Sequence, residues 1–212
     1  MNPIISSFEN IKSLINNSNV KIVAVSKTFS FDDIRPLVEY GHLHFGENKV
    51  QEAQSKWLNC KKDNPKLCLH MIGKLQSNKA KEAVKLFDYI HSLDNQKLAN
   101  ILAKQENITN KKLKYFIQVN IGNEKQKAGI GVNFLDDFFY YCVKELKLNV
   151  IGLMAIPPNN DNANDYFKKL TELNKLLGLK ELSMGMSSDF KIALNYETTF
   201  VRLGSSIFGK RG

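Results

Sequence analysis

Lys27 closes an apolar, β-branched run, residues 20–27, that reads Val-Lys-Ile-Val-Ala-Val-Ser-Lys. Such a run is the pattern of a strand buried on both faces, as in a parallel sheet. Ligands of α/β proteins gather at the C-terminal ends of their strands. An amine there loses part of its hydration, which lowers its pKa and frees a lone pair for attack on a carbonyl. Taken alone, the run favours a plainer role, a lysine snorkelling to solvent where the strand ends. Two later segments change that balance. Residues 183–189, Ser-Met-Gly-Met-Ser-Ser-Asp, and residues 202–206, Arg-Leu-Gly-Ser-Ser, are rich in small and hydroxylated side chains. Small residues let backbone N–H groups approach an anion, hydroxyls add donors, and a helix N-terminus adds a favourable dipole. Ser187-Ser188 and Gly204-Ser205 therefore outline a phosphate cup. Arg202 beside them keeps its proton, so it would hold a neighbouring pyridine nitrogen unprotonated; its simpler role is an ion pair with Glu47 or another carboxylate.

The elements that must position these residues alternate between strand and helix patterns. Strands are expected at 20–27, 42–47, 67–72, 89–93, 115–121, 150–156, 181–185 and 200–205. Helices are expected at 31–40 (capped by Ser30 or Asp32), 50–58, 79–87 (capped by Asn78), 95–105, 134–146 and 163–177, with a short one after Asp189. Eight strands with helices between them in 212 residues match an α/β (β/α)8 TIM barrel, with a doubly wound open sheet as the structural alternative. Composition does not break along the chain, so residues 1–212 are expected to form one domain. In a barrel all strand ends meet at one mouth, and phosphate is often held after the last two strands. That places Lys27, Asn48, Ser187, Arg202, Gly204 and Ser205 together.

Net charge is +9, from 30 basic against 21 acidic residues, which favours anionic ligands. The basic residues are scattered, and neither an arginine-rich segment nor an aromatic RNA-binding motif is present, so nucleic acid is not expected. No apolar run reaches membrane-spanning length, and residues 1–10 lack the order of a signal peptide. A cytoplasmic location follows. Three cysteines without metal spacing read as reduced thiols, and His42-x-His44 is a weak metal pair lacking a third ligand. A Walker loop and a Gly-x-Gly-x-x-Gly turn are both missing, which favours a phosphorylated ligand smaller than a nucleotide.

A strand-end amine, a phosphate cup and a ring-nitrogen partner together specify pyridoxal 5′-phosphate. Ordered segments carry a resemblance to a known family: residues 24–27 (AVSK), 45–52 (FGENKVQE), 70–79 (HMIGKLQSNK), 118–120 (QVN) with Glu124, Lys127 and Gly129, 152–154 (GLM), 182–190 (LSMGMSSDF) and 201–209 (VRLGSSIFG). In these the chain resembles the pyridoxal phosphate homeostasis protein family, itself similar to the barrel domain of alanine racemase. The resemblance implies that Lys27 holds pyridoxal phosphate as a Schiff base. It implies that Ser187, Gly204 and Ser205 hold the phosphate, that Arg202 faces the pyridine nitrogen, and that Asn48 lies beside the ring. Met184 is expected as a wall. Two positions depart from the family pattern: Ser205 stands where threonine is more frequent, and Lys74 replaces a proline.

The function implied is a cofactor carrier that keeps a reactive aldehyde at low free concentration and passes it to apo-enzymes. The alternative is an amino-acid racemase. Racemisation needs a base on each face of the substrate carbon. The seven tyrosines are expected to lie away from the mouth, and these 212 residues are expected to hold no second domain to supply one. A carrier that is not an enzyme, working as a monomer, is therefore the expectation.

Overall fold

The computed structural model describes residues 2–16, 19–124, 126–158 and 162–209. Nine parallel strands form the sheet: β1 Lys21–Val25, β2 His44–Glu47, β3 Cys68–Met71, β4 Tyr89–Leu93, β5 Lys114–Asn120, β6 Ile130–Gly131, β7 Val150–Met154, β8 Glu181–Met186 and β9 Phe200–Leu203. Their order is β4-β3-β2-β1-β9-β8-β7-β5, and β4 also pairs with β5, closing an eight-stranded barrel. The closing pair rules out the doubly wound sheet. The two-residue β6 adds to β5 outside the ring, between the expected strand at 115–121 and the expected helix at 134–146.

Helices α1 Pro3–Ile15, α2 Phe31–Glu39, α3 Val50–Asp63, α4 Ala80–Leu86, α5 Gln96–Thr109, α6 Leu135–Tyr140, α7 Ala163–Leu176, α8 Phe190–Ala193 and α9 Ser205–Phe208 cover the outside. The sequence reading assigns no element to α1. Its signals are nonetheless present: Asn2 accepts from the Ile4 N–H at 2.9 Å, proline stands at the first turn, and Phe8, Ile11 and Ile15 share the buried face. Ser30, not Asp32, caps α2, in a reciprocal box with Asp33. Asn78 does not cap α4. A 3-10 turn at Ser77–Lys79 intervenes, and Lys79 holds the cap position without a side-chain bond.

Period-two alternation sorts each strand between two cores. Ala24, Phe45, Leu69, Ile90, Ile117, Leu153, Leu182 and Val201 face the helices in the larger cluster. Val23, Tyr89, Phe116, Met154 and Phe200 fill the barrel interior. Close packing leaves no slack. A Cβ at Gly152 would lie 1.8 Å from the Glu181 carbonyl oxygen, directly across the β7–β8 pair.

The interior also holds a polar file. His44 Nδ1 lies 3.0 Å from His70 Nε2, His70 Nδ1 lies 2.9 Å from His91 Nε2, and His91 Nδ1 lies 2.8 Å from Ser183 Oγ. Arg202 NH1 donates to that same Ser183 oxygen at 2.6 Å. His42 lies outside β2, with its Nε2 2.9 Å from the His44 carbonyl oxygen. The His42-x-His44 pattern thus does not turn both rings to one site from a shared strand face. Among the described residues no cluster of three or more metal-ligating side chains occurs.

Burial disfavours the imidazolium form. It pulls His42 and His44 down to about 4, and His70 and His91 well below the ordinary histidine value. A folded pKa below the unfolded one means the unfolded chain takes up protons first as pH falls. Stability is therefore full above about pH 6.5 and is lost as pH drops from there toward about 4. Urea midpoints should be level between about pH 7 and 8 and fall steadily below about pH 6.5. A midpoint unchanged down to about pH 5 would contradict the burial of neutral histidines.

Candidate functional site

At the C-terminal mouth of the barrel lies a cavity of about 550 Å³. Val25, Ile72, Ile156 and Met186 supply its apolar walls. Lys27, Asn48, Ser187, Ser188, Arg202, Gly204 and Ser205 supply its polar ones. All six residues expected to bind a cofactor line this one space. Met184 does not: it is fully buried toward the helices, and Met186 takes the wall position. The cause is a bulge. Four residues of β8, Ser183 to Met186, lie opposite three of β9, Phe200 to Arg202. Gly185 makes the bulge with φ of +91°, where a Cβ would also meet Phe190 at 2.9 Å. The extra residue turns Met186 and Ser187 over the mouth.

Lys27 stands two residues beyond β1 and is half-buried. Alternation sends Ser26 outward and Lys27 toward the mouth. The outward side is fixed by a buried ion pair. Glu47 Oε1 accepts from Ser26 Oγ at 2.8 Å, Lys56 Nζ at 2.9 Å and Trp57 Nε1 at 2.9 Å. Lys56 also donates to the Ser26 carbonyl oxygen at 2.8 Å. On the other flank Thr28 is held at φ of +70°, a costly conformation for a β-branched residue, with its N–H donated to Glu52. Lys27 therefore projects from a backbone pinned on both sides.

Arg202 is only 4 % exposed. Its NH1 donates to Ser183 Oγ at 2.6 Å and its NH2 to the Ala155 carbonyl oxygen at 3.0 Å. Among the described residues no carboxylate lies within ion-pair distance of it. The expected alternative, an ion pair with Glu47, does not occur, because Glu47 points outward to Lys56. Burial works against the guanidinium charge, and more distant Asp189 supports it weakly.

At the far wall Ser187 Oγ sits 3.1 Å from Ser206 Oγ and 3.4 Å from the N–H groups of Gly204 and Ser206. Those last contacts are longer than the usual range of about 2.7–3.2 Å, so the donors are under-engaged and suited to a stronger acceptor. Helices α8 and α9 have four residues each, so a macrodipole adds little; hydroxyls and loop N–H groups make the cup. A buried cation, a donor-rich wall, an amine and a cavity of this size fit a small phosphorylated aromatic aldehyde. No tyrosine lines the cavity among the described residues.

Sequence reasoning missed the supporting residues. Glu47, Glu52 and Lys56 carried a signal in the i, i+4 spacing of the last two. Ser183 falls within the strand-end segment 183–189, but nothing in that segment marks it as a partner of Arg202, and His91 sits mid-strand without a signal. Lys74 lines a neighbouring cavity that shares Asn48 with this one.

The barrel and site define the class: the family model for the alanine racemase N-terminal domain matches residues 4–212. Within that class, a pyridoxal phosphate homeostasis protein from Aquifex aeolicus is 38% identical over 200 residues, covering 90% of this chain and 87% of its own length. One from Vibrio cholerae is 37% identical over 207 residues, covering 92% and 86%. The solved structure of PipY of Synechococcus elongatus PCC7942 with PLP bound matches with a TM-score of 0.89 and 33% identity, over 97% of this chain and all of that one (100%). The chain belongs to the pyridoxal phosphate homeostasis protein family. An alanine racemase from Clostridium difficile shares the fold, with a TM-score of 0.77 at 12% identity, and the match covers 57% of that protein.

Removing Glu47 strips Lys56, whose side chain is 6 % exposed, of its buried carboxylate and leaves it Glu52 at 3.1 Å, while Ser26 and Trp57 lose their shared acceptor. Glu47→Ala should lower unfolding free energy by about 2–4 kcal/mol, the loss of charge-assisted bonds partly offset by the remaining Glu52. The single tryptophan, Trp57, donates to Glu47, so its fluorescence reports the urea transition directly. A loss below about 1 kcal/mol would show that the pair does not hold this flank.

Proposed function

We propose that this protein binds pyridoxal 5′-phosphate reversibly and serves its intracellular homeostasis, with Lys27 as the residue that holds it covalently. The observation that carries the reading is the convergence of Lys27, the uncompensated Arg202 and the under-engaged donors around Ser187 on one cavity. When bound, the cofactor supplies a reactive aldehyde and a ring that can accept electron density. Lys27 would hold the cofactor through its side-chain amine at the mouth. Ser187 Oγ and the N–H groups of Gly204 and Ser205 bind the phosphate. Arg202 donates to the ring nitrogen and, because it retains its proton, keeps that nitrogen unprotonated. Asn48 borders the ring. Val25, Ile72, Ile156 and Met186 exclude water from its faces.

Storage is favoured over racemisation by the same walls. Racemisation needs a second base opposite Lys27. No tyrosine among the described residues lines the cavity, and Arg202 weakens the ring as an electron sink. The whole chain acts as one cofactor-binding domain that delivers pyridoxal phosphate to apo-enzymes. It works as a monomer in the cytoplasm, without nucleic-acid or membrane partners. Free Cys60, Cys68 and Cys142 suit a reducing compartment, and no helix among the described residues is long and apolar enough to cross a membrane.

Adding pyridoxal phosphate should produce an absorption band shifted to the red of the free cofactor, and Lys27→Ala should abolish it. Borohydride reduction followed by peptide mass spectrometry should place the pyridoxyl group on Lys27. An adduct on another lysine, with an unchanged band in the variant, would overturn the assignment. Fast Cα exchange of L-alanine in deuterated water by the loaded protein would favour the racemase instead.

A further inference from the structure

Ser183 Oγ has two neighbours among the described residues, the Arg202 guanidinium at 2.6 Å and His91 Nδ1 at 2.8 Å. Ser183 is fully buried. A hydroxyl has one proton to give, and a guanidinium has none of its acceptor capacity to offer. Were His91 protonated at Nδ1, the serine oxygen would accept from both sides and its own proton would face no acceptor, a state that carries a desolvation penalty. Ser183 therefore accepts from Arg202 and donates to His91 Nδ1.

That single choice fixes the remainder. A neutral imidazole has one donor and one acceptor. His91 must then carry its proton on Nε2 and donate to His70 Nδ1 across 2.9 Å. His70 carries its proton on Nε2 and donates to His44 Nδ1 across 3.0 Å. His44, half-buried at the opposite end of the barrel, carries the last proton on Nε2. Every link in the file is satisfied in this direction, and the reverse direction strands the Ser183 proton. The file is packed by Tyr89, stacked on His70 at 4.2 Å, and by Phe116, 4.4 Å from His91.

We propose that Ser183, His91, His70 and His44 form a one-way hydrogen-bond relay through the barrel interior, with all three rings in the Nε2–H form, that locks the Ser183 hydroxyl and through it positions the Arg202 guanidinium at the cavity. These are positioning residues; none of the four lines the cavity. Their bearing on cofactor binding rests on the pyridoxal phosphate reading above. The relay holds a cation in place with neutral groups only. It therefore leaves the Arg202 charge available to a ligand, where a carboxylate would have quenched it.

The test begins with cofactor-free protein carrying 15N-labelled histidine, observed by long-range proton–nitrogen NMR at neutral pH. His91, His70 and His44 should each show a protonated Nε2 and an unprotonated Nδ1. A proton on Nδ1 of His91 or His70 overturns the relay, whatever the protein binds. Ser183→Ala removes the donor that sets the direction. The His91 Nδ1 resonance should then shift as it loses its proton donor, and pyridoxal phosphate affinity should fall about tenfold as Arg202 loses its fixed acceptor. Ser183→Thr keeps the hydroxyl and should restore both signals. An unchanged His91 Nδ1 resonance in Ser183→Ala overturns the relay, and unchanged affinity overturns its positioning of Arg202. A wild-type protein that binds no pyridoxal phosphate defeats the functional reading, while its histidine spectrum still decides the relay.

Discussion

Arg202 is a buried positive charge with neutral partners. A guanidinium removed from water is ordinarily matched by a carboxylate, because an unmatched buried ion is heavily penalised. Here two uncharged oxygens, Ser183 Oγ and the Ala155 carbonyl, take its donors. These two hydrogen bonds to neutral groups fix the guanidinium but leave its charge. The mouth of the barrel is thereby kept at positive potential inside a low-dielectric wall, where a charge acts more strongly than in water. An anionic ligand completes that arrangement, and the under-engaged donors near Ser187 lie on the same cavity.

The protein handles its second buried cation differently. Lys56 is paired directly with Glu47, outside the ring of strands. The contrast follows from period-two alternation. Glu47 faces outward and closes a network that pins Ser26; Asn48 follows it into the mouth. Ser26 faces outward and Lys27 follows it inward. The structural network and the ligand-facing residues are thus neighbours in sequence on opposite sides of one sheet. Rigidity at the site comes from the outer layer, and chemistry from the inner one.

Much of this was legible in the residues themselves. Strand β4 lies where its β-branched and aromatic pattern put it, and Lys27, Arg202 and the Ser/Gly pairs were found because they stand at strand ends. Strand lengths were less legible, since the last apolar residues of a run, such as Ile156, already belong to the mouth. Plain alternation turns Met184 with Leu182 to the helix side while Ser183 faces inward; the bulge at Gly185, which periodicity alone does not reveal, is what brings Met186 to the mouth instead. The histidine file was unreadable for another reason. Its members are 26, 21 and 92 residues apart along the chain, and only closure of the barrel brings them into one line. Helix α1 was passed over although its proline, cap and buried spacing were all present.

The alanine racemase of Clostridium difficile has this barrel fold at 12% identity, so the fold alone says little about activity. What distinguishes the present site is the chemistry of its walls. The most direct test is a crystal structure of the protein soaked with pyridoxal phosphate. The account predicts density continuous from Lys27 Nζ into the ring, the phosphate against Ser187, Gly204 and Ser205, and the ring nitrogen within hydrogen-bond distance of Arg202. A ligand seated elsewhere, or in this cavity with its phosphate turned away from Ser187 and its ring nitrogen away from Arg202, would contradict it.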